Sequence, residues 1–296
     1  MVARIHFLVP FRSNLDYLAA TLKSIVDQSI DDWRATVFDD STRVDEVQSL
    51  VHSFDDARLT LVNNPTPLGI GGNWNAALAA AEAEFACLVH ADDLLAPSYA
   101  GAVLDLHRRF PGTYGVFTGV RVIDEAGRKK HFSVPDLAKR VLHPLLRDEC
   151  VIEGDKGLRS LLRGDFIFCP TVTYSVARLR HPVFDEGLRM SLDLLSFAEV
   201  LMRGERFVGT THPHYLYRRH GASTTSTLNA DSSRFVEELR IYRLIADSAE
   251  RVSFHGSARA GRRAAIVKAH ILYTALISAL RADFGRSRLL TAMLTS

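Results

Sequence analysis

The chain has 296 residues, of which 47% are hydrophobic and 24% charged. That much apolar side chain can bury one large α/β core plus a smaller subdomain or helical tail, and it excludes a chain that stays disordered. The 36 Lys and Arg nearly cancel the 34 Asp and Glu, for a net charge of +2, which excludes a general field for nucleic acid while leaving room for a local basic cluster.

In chain order, the apolar run Ile5 to Val9 reads as a first strand, too short and wrongly flanked for a signal peptide. Ser13 or Asn14 can cap a helix whose apolar positions Leu15, Leu18, Leu22 and Ile25 recur at helical spacing. Ala35 to Phe38 is the second strand, Val44 to Phe54 the second helix, Leu59 to Val62 the third strand and Asn73 to Ala83 the third helix. Phe85 to Val89 is a buried strand that delivers His90, Ala91, Asp92 and Asp93. Such alternation predicts βαβ units and a mainly parallel sheet.

After Pro97 come a helix over Tyr99 to Phe110, a strand over Tyr114 to Val122 and a polar turn at Asp124 to Gly127. Residues 128–153 lose periodicity, which at that length predicts a functional loop or a small insertion. A helix near Asp155 to Leu162, a β-branched run from Thr171 to Val176 and a helix beginning at Ser191 or Leu192 follow. From Asp231 the tail reads as helical in two pieces, broken near Gly256 and Gly261. Its final helix, Arg262 to Ala282, is rich in Ala, Ile and Leu behind Arg259, Arg262 and Arg263. Two readings stand open for that helix: packing on the domain or on a partner subunit, as in a homodimer, or lying on an anionic membrane surface. No stretch reaches membrane-spanning length free of charge. Cys87, Cys150 and Cys169 are odd in number and widely spaced, which points away from a disulfide framework or a zinc site and toward a reducing cytoplasm.

Asp92 and Asp93 fall at the expected carboxyl end of a buried strand, where open α/β sheets bind ligands. Adjacent carboxylates there repel unless a cation lies between them, and their hard oxygens suit Mn²⁺ or Mg²⁺, which bridge protein carboxylates to a substrate diphosphate. The bland alternative is a solvated turn before Leu94. Against it stand two further acidic groups at expected element ends, Asp39 with Asp40 after the second strand and Asp193 at a helix start. Gly69, Gly71 and Gly72 superficially match a dinucleotide-binding turn, but they follow the third expected strand rather than the first, so a dehydrogenase is set aside. They read instead as a tight turn that lets backbone approach a donor.

Residues 4 to about 225 resemble the family-2 glycosyltransferases of the GT-A fold. VPFRSN, Val9 to Asn14, looks like the family's opening strand and loop, which implies that Pro10 and Phe11 line the nucleotide base. FDDST, Phe38 to Thr42, looks like the second-strand motif whose carboxylate receives the base; Asp40, and after it Asp39, would accept a base N–H. Asn64 through Gly69, Asn73 and Asn75 to HADD looks like the approach to the metal motif, which implies that Asn73 contacts the nucleotide donor. Asp92 and Asp93 would then share metal coordination and ribose contact. The usual D-x-D begins with Asp, whereas this chain has His90, either a metal ligand or a buried, satisfied imidazole. The resemblance makes Asp193 the catalytic base, with Leu194 where an acidic pair is common and Glu199 as understudy; helix capping is the alternative role. YRRHGASTTS, Tyr217 to Ser226, looks like a closing loop, with His220 reaching the metal or diphosphate and Arg218 or Arg219 neutralising phosphate. His212 and His214 read as structural.

The resemblance implies a mixed, mainly parallel, Rossmann-like α/β sheet flanked by helices. It implies a GT-A domain over residues 1–230, with a nucleotide-sugar-binding half at 1–125 and an acceptor or catalytic half at 126–230, followed by a helical extension at 231–296. The expected activity is metal-dependent, inverting transfer of a sugar from a nucleotide diphosphate to a saccharide, lipid-linked or other hydroxyl acceptor in glycoconjugate synthesis. Its expected place is the cytoplasm or the inner face of the plasma membrane. Two other readings are a catalytically silent GT-A scaffold, to which His90 gives weight, and a nucleotidylyltransferase, which would want a glycine-rich basic loop that VPFRSN lacks.

Overall fold

The computed structural model describes residues 3–130, 149–221 and 232–294. Four strands, β1 (Ile5–Phe11), β2 (Trp33–Asp39), β3 (Leu59–Asn63) and β4 (Phe85–Leu88), run parallel and are joined through α1 (Leu15–Val26), α2 (Val44–His52) and α3 (Gly69–Ala79). The chain continues through β5 (Leu94–Leu95), α4 (Tyr99–Arg109), β6 (Gly115–Ile123), β7 (Glu149–Glu153), α5 (Gly154–Gly164), β8 (Val172–Ser175), α6 (Leu192–Met202) and β9 (Arg206–Arg218). The sheet order is β3-β2-β1-β4-β8-β6-β9-β5, with β7 also on β9. β8 is antiparallel to both neighbours, β6 and β9 are parallel, and β5 and β7 are antiparallel to β9. The architecture is the mixed α/β sheet flanked by helices that the sequence led us to expect.

Period-two alternation in β1 divides the core. Ile5, Phe7, Val9 and Phe11 pack on one face with Leu18 and Leu22 of α1 and Val103 of α4. Leu8 points to the other face, with Ala77 and Leu78 of α3, Leu161 of α5 and Phe197 of α6. Asn14, rather than Ser13, caps α1, accepting from Tyr17 N at 3.0 Å.

Two boundaries differ from expectation for physical reasons. α3 begins at Gly69, not Asn73, because the Asp40 carboxylate accepts from Leu68 N at 2.6 Å and Gly69 N at 3.0 Å and so starts the helix from 28 residues away. The tail forms four helices, α7 (Ser233–Arg251), α8 (His255–Arg263), α9 (Ala265–Leu280) and α10 (Phe284–Ala292), rather than two. Its breaks fall at the left-handed residues Ser253, Ala264 and Ala282, and Gly256 and Gly261 lie inside α8. Those glycines permit contact. A Cβ on Gly261 would stand 2.8 Å from the Tyr242 carbonyl oxygen, and one on Gly256 would stand 2.6 Å from Asp155 Oδ2. Asp155 accepts from Gly256 N and Ser257 N at 3.0 and 2.7 Å, fastening α8 to the start of α5.

Candidate active site

Because β1, β2 and β4 are parallel, their carboxyl ends open on one edge of the sheet, with Phe11 opposite Asp39 in register. Asp40 N donates to Phe11 O and Asn64 N to Asp39 O, both at 2.9 Å, which carries the ladder one step past the strands. Beyond β4 the chain turns tightly, with Asp93 N donating to His90 O at 3.0 Å. Thr21 Oγ1 of α1 donates to Asp93 O at 2.7 Å and holds the turn from below.

His90, Asp92 and Asp93 bring one potential ligand atom each to within 4.8 Å of one another. They are not equivalent. Asp93 is fully buried, accepting from Tyr215 Oη at 3.0 Å and from Arg218 N at 2.7 Å. Burial first, and then the Asp92 charge, push its carboxyl far above the usual carboxylate range. Asp92 keeps 35% of its side-chain surface and accepts from His220 Nε2 at 2.8 Å. Burial works to raise its pKa, but the His220 hydrogen bond prevails and holds it below the usual value. The His90 ring stacks on Trp74 at 5.0 Å, and burial lowers its pKa, so the neutral imidazole is the form present. Its Nε2 is buried without a hydrogen-bond partner among the described residues. A buried, neutral, unpartnered imidazole nitrogen beside two carboxylates is a donor set that fits a divalent cation.

The structure separates the two acidic residues after β2. Asp40, buried, has four donors: Leu68 N, Gly69 N, Asn64 Nδ2 at 3.0 Å and Arg12 Nη1 at 3.2 Å. Asp39, also buried, accepts from Ser41 N through Oδ1 at 2.8 Å, while its Oδ2 has no partner among the described residues. The open acceptor is therefore on Asp39, the reverse of the order expected from sequence. Asn73 spends its amide on Phe38 O at 3.1 Å and receives Asn64 Nδ2 at 3.0 Å, so it positions the loop. Asn75 accepts from Val183 N and Phe184 N and donates to Phe184 O, tying α3 to the segment before α6. Phe11 faces the core and is buried, whereas Pro10 is half-buried at the strand end.

Arg218 is also a correction to the phosphate role weighed for it. Its guanidinium donates to Asp92 O at 2.6 Å and Glu125 O at 2.9 Å and lies 4.6 Å from the Tyr17 ring, so it locks the turn instead. Arg219 is the arginine of that pair whose guanidinium stands beside the Tyr217 ring, at 5.9 Å. His220 also packs 5.2 Å from the Tyr17 ring. The remainder of the expected closing loop, residues 222–226, lies outside the described residues, as do 131–148 of the aperiodic stretch.

Asp193 sits half-buried in the first turn of α6, and Leu194 N donates to its Oδ1 at 2.9 Å. The Tyr217 hydroxyl is pushed upward by burial and then by the charges of Asp93, Asp92 and Asp193, so one phenol feels all three carboxylates. Glu199 instead lies on the exposed face of α6, among Arg203 and Asp185. His214 Nδ1 pairs with Ser98 Oγ at 2.8 Å. Tyr215, Trp74 and Tyr17 are site residues that the sequence did not single out; their only signal is an aromatic on a strand or helix that ends at the site.

The sequence profile of glycosyl transferase family 2 matches residues 7–155, half of the chain, and spans β1, β2, β4 and the carboxylate turn. The chain belongs to glycosyl transferase family 2. No curated protein matches. Among solved structures, this family-2 chain is similar to TarS 1–349 of S. aureus in complex with UDP-GlcNAc, at 21% identity and TM-score 0.60, over 83% of this chain and 66% of that one. It therefore spans just under two thirds of that length. It is also similar to the mannosyltransferase PcManGT of Pyrobaculum calidifontis in complex with GDP-Man and Mn²⁺, at 17% identity and TM-score 0.58, over 100% of this chain and 85% of that one. Both likenesses show the GT-A fold.

Proposed function

We propose that this family-2 chain transfers a sugar from a nucleotide diphosphate to an acceptor hydroxyl, with inversion, in the cytoplasm. One observation carries the reading: an open buried acceptor on Asp39 and the His90, Asp92, Asp93 and His220 cluster stand on the same sheet edge, where a base and a diphosphate of one donor would lie. The nucleotide sugars and Mn²⁺ bound by the similar structures support it. The three free cysteines agree with a reducing compartment.

In this reading Asp39 Oδ2 accepts a base N–H, a discriminating contact because an unpaired buried carboxylate oxygen is costly. Asp92 and His90 would hold Mn²⁺ or Mg²⁺, with Asp93 completing the cluster from its buried position and His220, whose Nε2 lies 2.8 Å from Asp92 Oδ2, able to join once that hydrogen bond is released. When bound, the cation offsets charge building on the departing nucleoside diphosphate. Arg219 meets phosphate oxygens. Asp193 takes the proton from the acceptor hydroxyl as its oxygen attacks the anomeric carbon; a single base opposite the leaving group gives inversion.

The test is a pair of measurements on one preparation. Nucleotide diphosphates should raise the melting temperature in the presence of Mn²⁺, and Asp193→Asn should keep that shift while losing about 10²- to 10⁴-fold in turnover. Metal-independent shifts with no turnover of any donor would favour a silent scaffold, and turnover retained by Asp193→Asn would return Asp193 to helix capping.

A further inference from the structure

Away from the sheet edge, α5 and α8 enclose a cavity of about 170 Å³ whose rim carries Arg159, Arg163, Arg259 and Arg263. None of the four guanidiniums makes a hydrogen bond or ion pair among the described residues. Asp155, the carboxylate that feels Arg159, is already taken up by Gly256 N, Ser257 N and Ser257 Oγ. Four guanidiniums around one concavity repel one another unless an anion sits among them, and their planar donors match phosphate oxygens.

Ala265, which also lines this cavity, begins an exposed stripe on α9. The stripe runs through Ala269, Leu272, Tyr273, Leu276 and Leu280, the spacing of one helical face, and continues into Phe284 of α10. Leu276 is 58% exposed, Leu280 75% and Phe284 62%, which is far from the default for side chains of this size. The opposite face of α9, Val267, Ile271, Ala275 and Ser278, is buried against the body. The segment His255–Leu280 is long and apolar enough to cross a membrane by composition, but the break at Ala264 and that buried face fix it alongside the protein.

Residues 255–294 hold seven Arg and Lys against the single acid Asp283, within a chain whose net charge is only +2. Cations flank the stripe at both ends, Arg259 and Arg263 before it and Arg281 and Arg288 after it. A second copy laid on this stripe, parallel or antiparallel, would bring cations against cations. An anionic apolar boundary would not.

We propose that this face docks on an anionic lipid bilayer, with the arginine cavity receiving a phospholipid headgroup phosphate and the α9–α10 stripe entering the acyl boundary. The contact is peripheral, and it holds whatever donor the sheet-edge site takes. Basic side chains near such a surface act about fivefold each in partition, and the apolar stripe adds an uncharged component that salt does not screen.

The experiment is flotation of the full chain with vesicles of phosphatidylcholine alone or with about one third phosphatidylglycerol. The parent should float with the anionic vesicles and not the neutral ones, and added salt should weaken it. The triple change Arg159→Gln, Arg163→Gln, Arg259→Gln should reduce partition roughly a hundredfold, and Leu272→Gln with Leu276→Gln at least tenfold. Because all five side chains are half-buried or exposed, the melting temperature of both variants should stay near the parent's. Equal flotation with neutral vesicles, or none with either, overturns the proposal. Concentration-dependent dimerisation abolished by the leucine pair, without flotation, assigns the stripe to a second copy. Stabilisation by millimolar inorganic phosphate, lost in the arginine variant but without flotation, assigns the cavity to a free phosphate.

Discussion

Asp92 and Asp93 are neighbours in sequence and do different physical work. Asp93 accepts two hydrogen bonds in a water-free position, from the Tyr215 hydroxyl and the Arg218 amide. Asp93→Ala strands both donors and should cost about 2–4 kcal/mol in unfolding free energy by urea titration. A strand-end carboxylate looks dispensable to the core from sequence alone; the two buried donors are what make it structural. Asp92→Ala, at a 35% exposed side chain, should change stability by less than about 1 kcal/mol yet remove Mn²⁺-dependent stabilisation by nucleotide diphosphates. Equal loss of stability in the two variants would contradict this division of roles. His90 offers a second check. An imidazole favours borderline metals and a carboxylate hard ones, so His90→Asp should shift the preference of donor binding from Mn²⁺ toward Mg²⁺; an unchanged ratio would put the imidazole outside the coordination sphere. The order of strand, turn and paired acids was enough to find this site from sequence. What divides Asp92 from Asp93, and Asp39 from Asp40, was not legible, because it depends on Tyr215, Arg218 and Leu68, which reach the acids from tens to over a hundred residues away.

At the scale of elements, two buried histidines tie neighbouring elements together, His6 joining β1 to β2 and to the turn after α3, and His107 joining α4 to β8. His6 of β1 accepts from Glu82 N through Nδ1 at 3.2 Å and so donates through Nε2 to Thr36 Oγ1 at 2.8 Å. His107 of α4 donates through Nε2 to Thr173 O at 3.1 Å and stacks on Phe85 at 3.9 Å. Burial, aided for His6 by Arg34 and for His107 by Arg4, lowers both to about 4. The unfolded chain then binds more protons than the native one between about pH 6.5 and pH 4, so their contribution is full above that window and is lost as pH falls through it. Between pH 7 and pH 5 the loss should be on the order of 2 kcal/mol for each histidine. His107→Gln can still donate to Thr173 and cannot take a charge, so it should flatten the urea-midpoint profile by about half; a profile identical to the parent's would contradict the assignment. The parallel half of the sheet was readable because each of its strands is a short apolar run between turn residues. The two-residue β5 and the insertion of β8 between β4 and β6 carry no local signal, since pairing across about 88 and 57 residues is a property of the sheet rather than of the segment.

For the whole molecule, the C-terminal helices have two faces with opposite consequences. All contacts proposed for the donor lie before residue 222, which makes the tail look separable. Its inner face argues otherwise. Ala258, Ala264, Val267, Ile271, Ala275 and Leu290 belong to the same buried cluster as Leu158, Leu161, Phe197 and Tyr242, and Asp155 anchors the start of α8. Removing residues 257–296 would expose one side of α5 and α7 and leave Asp155 without its Ser257 partners. Apolar burial contributes about 25 cal/mol per Å², so exposing several such side chains reaches the size of a domain's whole stability margin of about 5–15 kcal/mol. The truncated chain should therefore lose its cooperative thermal transition and become protease-sensitive throughout, β1 to β4 included. The outer face should behave in the opposite way, with Leu272→Gln and Leu276→Gln leaving the transition in place. A truncated chain that melted cooperatively and still responded to nucleotide diphosphate and Mn²⁺ would show that the donor-binding fold closes without its tail, and the core shared by α5, α7 and α9 would then be an interface between separable units rather than the interior of one.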